Sequence, residues 1–191
     1  DDFKEEYIKA LVKIGVEVVG LARRRKVGDI RNVMGLFKGS IFRTLYYSKS
    51  TAVELLRIIH EYNFDIVHFE SFYTAFYISD TMKNIGIKQI YGSENIEFKL
   101  YEDYAKGKLL KFLYDFQVEK IKKEEISMYK KSDLCIAVTS DEVEFIKQFN
   151  ANCVQIPNGV DINDFTFNKP IRKNAINLLF VGNFTYFPNV E

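Results

Sequence analysis

The sequence predicts an α/β fold: a parallel sheet wound by helices. Three observations predict it. Strand-like and helix-like segments alternate along most of the chain. The strand segments are unbroken apolar runs, as in strands covered on both faces. Helical stretches stop at glycines, at Gly15, Gly86 and near Gly107. A length of 191 residues fits one domain, or one domain plus part of another.

The elements follow in order. Phe3 to Ile14 places Phe3, Tyr7, Ile8, Leu11 and Val12 at helical spacing, and Gly15 ends the run. Val16 to Leu21 reads as a strand. A wound sheet normally opens on a strand with a glycine loop, so the first strand is expected to be missing. Leu45 to Tyr47 reads as a short strand. Ser50 is placed to cap a helix over Thr51 to Tyr62. Asp65 to Phe69 is a buried-type strand, Phe72 to Ile85 a helix, and Lys88 to Gly92 the next strand. A helical stretch begins at Ile96 to Leu100, and Leu109 to Lys131 is a long helix. Leu134 to Thr139 is a strand, and Ser140 is expected to cap a helix over Asp141 to Phe149. Val154 to Ile156 and Asn177 to Val181 are further strands. Residues 1–160 form the expected first domain. Residues 161–175, rich in Asn, Asp and Lys, are the linker, and 176–191 open a second domain.

Composition narrows the function. Charged residues make up 28% and the net charge is +1, which argues against a general nucleic-acid surface. Cys135 and Cys153 lie in apolar runs and read as buried reduced thiols. With His60 and His68 as the only histidines, no metal-ligand spacing is present. No apolar run is long enough to span a bilayer, and a cytoplasmic setting is expected. Residues 23–49 are basic, with Arg23, Arg24, Arg25, Lys26, Arg31, Lys38, Arg43 and Lys49 against Asp29. Interleaved apolar residues fit either peripheral contact with anionic lipid or a solvated basic loop.

In open parallel sheets, ligands bind beyond the carboxyl ends of the strands. That rule selects Glu70-Ser71, Ser93-Glu94-Asn95, Thr139-Ser140 and Gly182-Asn183. Two carboxylates over one cleft, Glu70 and Glu94, suit acid–base work or sugar hydroxyls. The plainer reading is that each caps the helix it precedes. Thr139-Ser140 reads as an N-cap whose free amides can also hold a phosphate. His68 reads as a satisfied histidine before it reads as a base. There is no dinucleotide or P-loop fingerprint and no hydrolase triad order.

Several segments together resemble a known family. These are Asp65 to Ser71, Ser93-Glu94-Asn95-Ile96-Glu97-Phe98, Tyr129 to Asp133 with Ser140-Asp141-Glu142, Ile156-Pro157-Asn158-Gly159-Val160-Asp161, and Phe180 to Glu191. In this order and spacing they resemble a family 4 glycosyltransferase of the GT-B fold, in a subgroup linked to exopolysaccharide synthesis. The resemblance implies a Rossmann-like acceptor-side half with Glu70, Ser71, Asn95 and Ser140 binding substrate. Gly182 and Asn183 would open the donor side. Many members carry a His here that contacts the sugar during transfer; this chain departs from that pattern with Glu94, which stands at the position as the candidate catalytic residue. It also implies a retaining reaction with a nucleotide sugar and a glycan or lipid-linked acceptor, and no cofactor or metal. The family's E-x7-E pair would fall after Glu191, so this chain alone is expected to be inert or nearly so. Three other readings compete: a stand-alone nucleotide- or partner-binding module, a GT-B sugar-nucleotide epimerase, and a structural fragment folded only with a partner chain. The apolar last strand, Leu178 to Val181, is a candidate for self-association.

Overall fold

The structure is a computed structural model and describes residues 5–21 and 39–163. The chain divides into two compact units, Asp1–Asn158 and Gly159–Glu191. In the second unit the description reaches Asn163, whose backbone N–H and Nδ2 both donate to Asp161 Oδ1. The rest of the expected linker, Gly182, Asn183 and the strands from Asn177 to Val181 lie outside the described residues. So do residues 23–38 of the basic stretch.

The first unit is built on four strands: β1 (Ile66–Glu70), β2 (Lys88–Ser93), β3 (Leu134–Ala137) and β4 (Cys153–Gln155). All are parallel and lie in sequence order. Parallel neighbours need crossovers, and helices supply them. The expected α/β sheet is therefore the observed one.

Register divides the sheet into two unlike faces. Phe69, Tyr91, Cys135 and Cys153 form one lateral row and are all nearly inaccessible. The next row belongs to the opposite face and contains Glu70, Gly92, Ile136 and Val154. On that face Ile66 is 55% and Val154 43% exposed. Apolar strands predict cover on both faces; among the described residues, helices cover one.

At the start of the chain lie α1 (Glu5–Lys13), α2 (Ile41–Tyr46) and α3 (Lys49–Tyr62). Of these, α1 contributes no buried residue. Farther on come α4 (Asp80–Asn84), α5 (Glu97–Ala105), α6 (Lys111–Lys131) and α7 (Ser140–Lys147). In α6 the buried positions are Val118, Ile121, Glu125, Met128 and Tyr129, a stripe at helical spacing. One of its members is an acid. Residues on α3, α6 and α7 join the strand row in one core: Ile59, Ile121, Met128, Tyr129, Val143 and Ile146.

Five local expectations are corrected. Val16 to Leu21 is not a strand. Its Val16, Val19 and Leu21 are largely exposed, and no described strand pairs with it. Leu45 to Tyr47 belongs to the end of α2 because Ser40 Oγ accepts the Arg43 N–H (3.1 Å) and starts a helix upstream. α3 begins at Lys49, and Ser50 is not its cap; its Oγ meets that of Ser48 at 2.7 Å.

Phe72 to Ile85 is not one helix. It holds a 3-10 turn at Ala75–Tyr77, then α4. The break comes from β2. Buried Gln89 accepts the Ser79 N–H through Oε1 (2.8 Å) and donates to the Ser79 carbonyl through Nε2 (3.0 Å). That clamp holds Ser79 extended, where its Oγ caps α4. Finally, α7 is capped by Thr139 rather than Ser140. Thr139 and Glu142 form a reciprocal capping box.

Candidate functional site

Neighbouring strands lie ~4.8 Å apart, so the four carboxyl ends span roughly 15 Å of one sheet edge. The predicted site residues in the first unit fall along this edge. Register pairs Glu70 with Gly92, and Ser93 with Ala137. Glu70-Ser71 and the loop 93–95 are therefore on adjacent strands. Ser140 follows the next one.

The chain leaves β1 through Ser71, whose φ of +73° is in the left-handed region. Such backbone is costly for a residue with a side chain and persists only where neighbours hold it. They do here: Ser71 N–H donates to the Gly92 carbonyl (3.0 Å). The Ser71 carbonyl accepts from Ala75 N–H (3.2 Å) and Thr74 Oγ1 (3.1 Å).

Glu70 caps no helix. Its Oε2 lies 3.0 Å from His68 Nε2, and both side chains are exposed. The pair rests on Gly92. A Cβ there would lie 2.6 Å from Glu70 Oε2 and 2.8 Å from His68 Nε2. A glycine at this position lets the two side chains lie against the backbone. His68 is thus a partnered histidine, on the uncovered face.

Beyond β2, Ser93 Oγ donates to the Asn95 carbonyl (2.8 Å), which tightens the loop. Glu94 and Asn95 are exposed. Glu94 does not cap α5. The N–H groups of Glu97 and Phe98 are instead taken by Glu125 Oε1 and Oε2, both at 2.9 Å. Glu125 reaches across from α6 and is 0% exposed. Tyr129 OH donates to the same carboxylate at 2.7 Å. A helix N-terminus favours negative charge, so this arrangement suits an ionised Glu125. Burial still pushes its pKa upward, against those donors.

Glu97 sits beside it. This carboxyl is 8% exposed, and its Oε2 is buried without a hydrogen-bond partner. Burial raises its pKa to about 7, with the Glu125 and then the Glu94 charges adding to the effect. Of the two buried acids, Glu125 has three donors, so the proton is held on Glu97. Tyr91 and Tyr129 stack with ring centroids 5.5 Å apart. Burial raises both phenols well above their ordinary range.

Aromatic side chains continue the cluster. The Tyr73 and Tyr101 hydroxyls are 3.4 Å apart. Phe42 approaches Tyr101 (4.7 Å between centroids) and Tyr73 (5.7 Å), and Tyr46 approaches Tyr73 (4.5 Å). Sequence reasoning did not single out Tyr73, Glu97, Tyr101 or Glu125 as candidates. The available signals were the four-residue spacing of Glu97 and Tyr101 and an acid within the apolar stripe of α6.

At the third strand end, Ser140 is exposed, and its Oγ lies 3.4 Å from Asp141 Oδ1. Cys135 and Cys153 are buried free thiols in register on β3 and β4. Burial pushes Cys135 up to about 12. Among the described residues, no group of three or more His, Cys, Asp and Glu is placed to hold a metal. No described helix is long and apolar enough to cross a membrane. A cleft of about 620 Å³ opens between α2, α3, residues 75–82 and α6, lined by Arg43, Lys49, Met82, Ser127 and Lys131 among others. None of the strand-end candidates lines it.

No curated protein gives a match to the chain. A family model described as Glycosyltransferase Family 4 matches residues 5–164, which include the whole described sheet and its carboxyl edge. With that match over most of its length, and with a parallel sheet of the GT-B half type, the chain belongs to glycosyltransferase family 4.

Proposed function

We propose that this protein transfers a sugar from a nucleotide sugar to a glycan or lipid-linked acceptor, and that the first unit is its acceptor-side half. The observation that carries the reading is the row of polar groups along one carboxyl edge of a parallel sheet, in a family 4 chain. In this proposal Glu94 is the catalytic residue. Its carboxylate is exposed at the end of β2 and has no hydrogen-bond partner among the described residues. Glu70, Ser71, Asn95 and Ser140 bind substrate, and Gly182 and Asn183 belong to the donor side. The reaction is retaining and serves polysaccharide synthesis, without a metal or other cofactor. The setting is cytoplasmic. The basic residues of 23–49 add peripheral contact with anionic lipid, and Leu178 to Val181 a self-association edge.

Calorimetric titration of the chain with UDP, GDP and their sugars tests the acceptor-side assignment. The expected result is no heat from any of them. Micromolar binding would make the chain a nucleotide-binding module in its own right. Vigorous sugar transfer by these 191 residues would equally overturn the assignment.

A further inference from the structure

We infer that Tyr73, Tyr101 and Glu97 form a sugar subsite, in which the tyrosine rings carry one face of an acceptor pyranose and the Glu97 carboxyl takes a hydrogen bond from its hydroxyl. This inference rests on the acceptor-side reading and names the chemistry of that site.

Four observations carry it. First, Glu97 is more than nine-tenths buried, and its Oε2 has no partner. Buried polar atoms are nearly always hydrogen-bonded, and the exceptions call for a functional account. Adjacent Glu125 shows what a satisfied acid looks like here, with three donors. Second, Glu97 and Tyr101 lie four residues apart on α5 and so share a helix face. The Tyr101 hydroxyl meets that of Tyr73. Third, Tyr73 is raised by burial first, then by Tyr101, and then by the Glu97 charge, which puts the carboxyl within electrostatic reach of the phenol. Fourth, Tyr73 and Tyr101 are half-buried and backed by Phe42, and Tyr73 follows the strained Ser71 at the end of β1.

A pyranose ring has an apolar C–H face and a rim of hydroxyl donors. Tyrosine offers an apolar ring with a polar tip, which matches that division. A buried carboxyl adds the strong acceptor that fixes orientation. Its partial protonation near neutrality lets it accept from one hydroxyl or donate to another.

The test is an NMR titration of the chain, labelled with carbon-13 in Tyr and at the Glu carboxyl. The probes are the methyl glycosides of glucose, galactose, mannose and N-acetylglucosamine. Shifts are expected at Tyr73, Tyr101 and Glu97 with at least one of them. Glu97→Ala, which removes the carboxyl altogether, is expected to weaken that binding by about tenfold or more, and Tyr73→Ala to weaken it also. Circular dichroism checks that each variant is folded, and Tyr101→Phe, which keeps the ring, is a milder second probe. No shift at these three residues with any glycoside overturns the inference. So do shifts that Glu97→Ala and Tyr73→Ala leave unchanged. Nucleotide binding in the calorimeter would instead overturn the acceptor-side reading, and the two failures are read by separate instruments.

Discussion

Removing Glu125 should unfasten α5 from α6. Its carboxylate is fully buried and accepts from Glu97 N–H, Phe98 N–H and Tyr129 OH. Glu125→Ala strands three donors at once. A buried donor left without a partner costs about 1–3 kcal/mol. Relief of a buried like charge beside Glu97 offsets part of this. The net loss is expected to be about 3–5 kcal/mol, as for other broken buried networks. In a domain of this size that is a fall in Tm of about 6–20 °C. Glu125→Gln keeps one acceptor oxygen but turns an NH2 group toward a backbone N–H, and should cost about 1–2 kcal/mol. Tyr129→Phe removes one bond of the three and should cost a similar amount. Urea unfolding followed by circular dichroism measures all three, and amide exchange at Glu97 and Phe98 reports on the cap itself. The reasoning is refuted if Glu125→Ala stays within about 1 kcal/mol of the parent, or if those two amides exchange no faster.

Glu97 should make stability depend on pH in a defined sense. Its pKa rises from 4.5 to about 7 on folding, through burial and the charges of Glu125 and Glu94. The folded state thus favours the protonated acid. That stabilisation is complete below the unfolded pKa and is lost as pH rises through about 7, a change of about 3 kcal/mol. Glu97→Gln should therefore be the more stable protein above pH ~8 and near-equal in mild acid, and a pH-independent difference between them would contradict this. Thr139→Ala removes the capping box of α7 and should cost about 1 kcal/mol, read as a lower urea midpoint. Gln89→Leu leaves the Ser79 N–H and carbonyl unpaired beneath the sheet and should cost about 2–3 kcal/mol; an unchanged midpoint would mean that water replaces the clamp.

Local patterning carried the α/β order well. The long helix over 109–131, the glycine stops and the four strands expected between Asp65 and Ile156 are set by nearest neighbours along the chain, and they are found within a residue or two of where the pattern puts them. The cap of α7 missed by one residue because Thr139 and Ser140 are both competent, and only Glu142 decides between them. The expected helix over 72–85 failed for a different reason. Its apolar spacing is real, but the Gln89 amide, ten residues on in β2, holds Ser79 extended, and apolar periodicity does not report a polar clamp of that kind.

The site divides in the same way. Local sequence carries the family resemblance and shows which polar residues end the strands, because a strand's end is a local property. Tertiary structure decided what those residues do. It gave Glu70 to His68, across a Gly92 that leaves room for the pair. It sent Glu125 to cap a helix 28 residues upstream of it. That cap leaves Glu97 buried beside a like charge with an oxygen unpaired. Periodicity reports which face of an element is apolar. It does not report which distant side chain arrives there, and burial and partnership, which set an acid's charge, depend on that arrival.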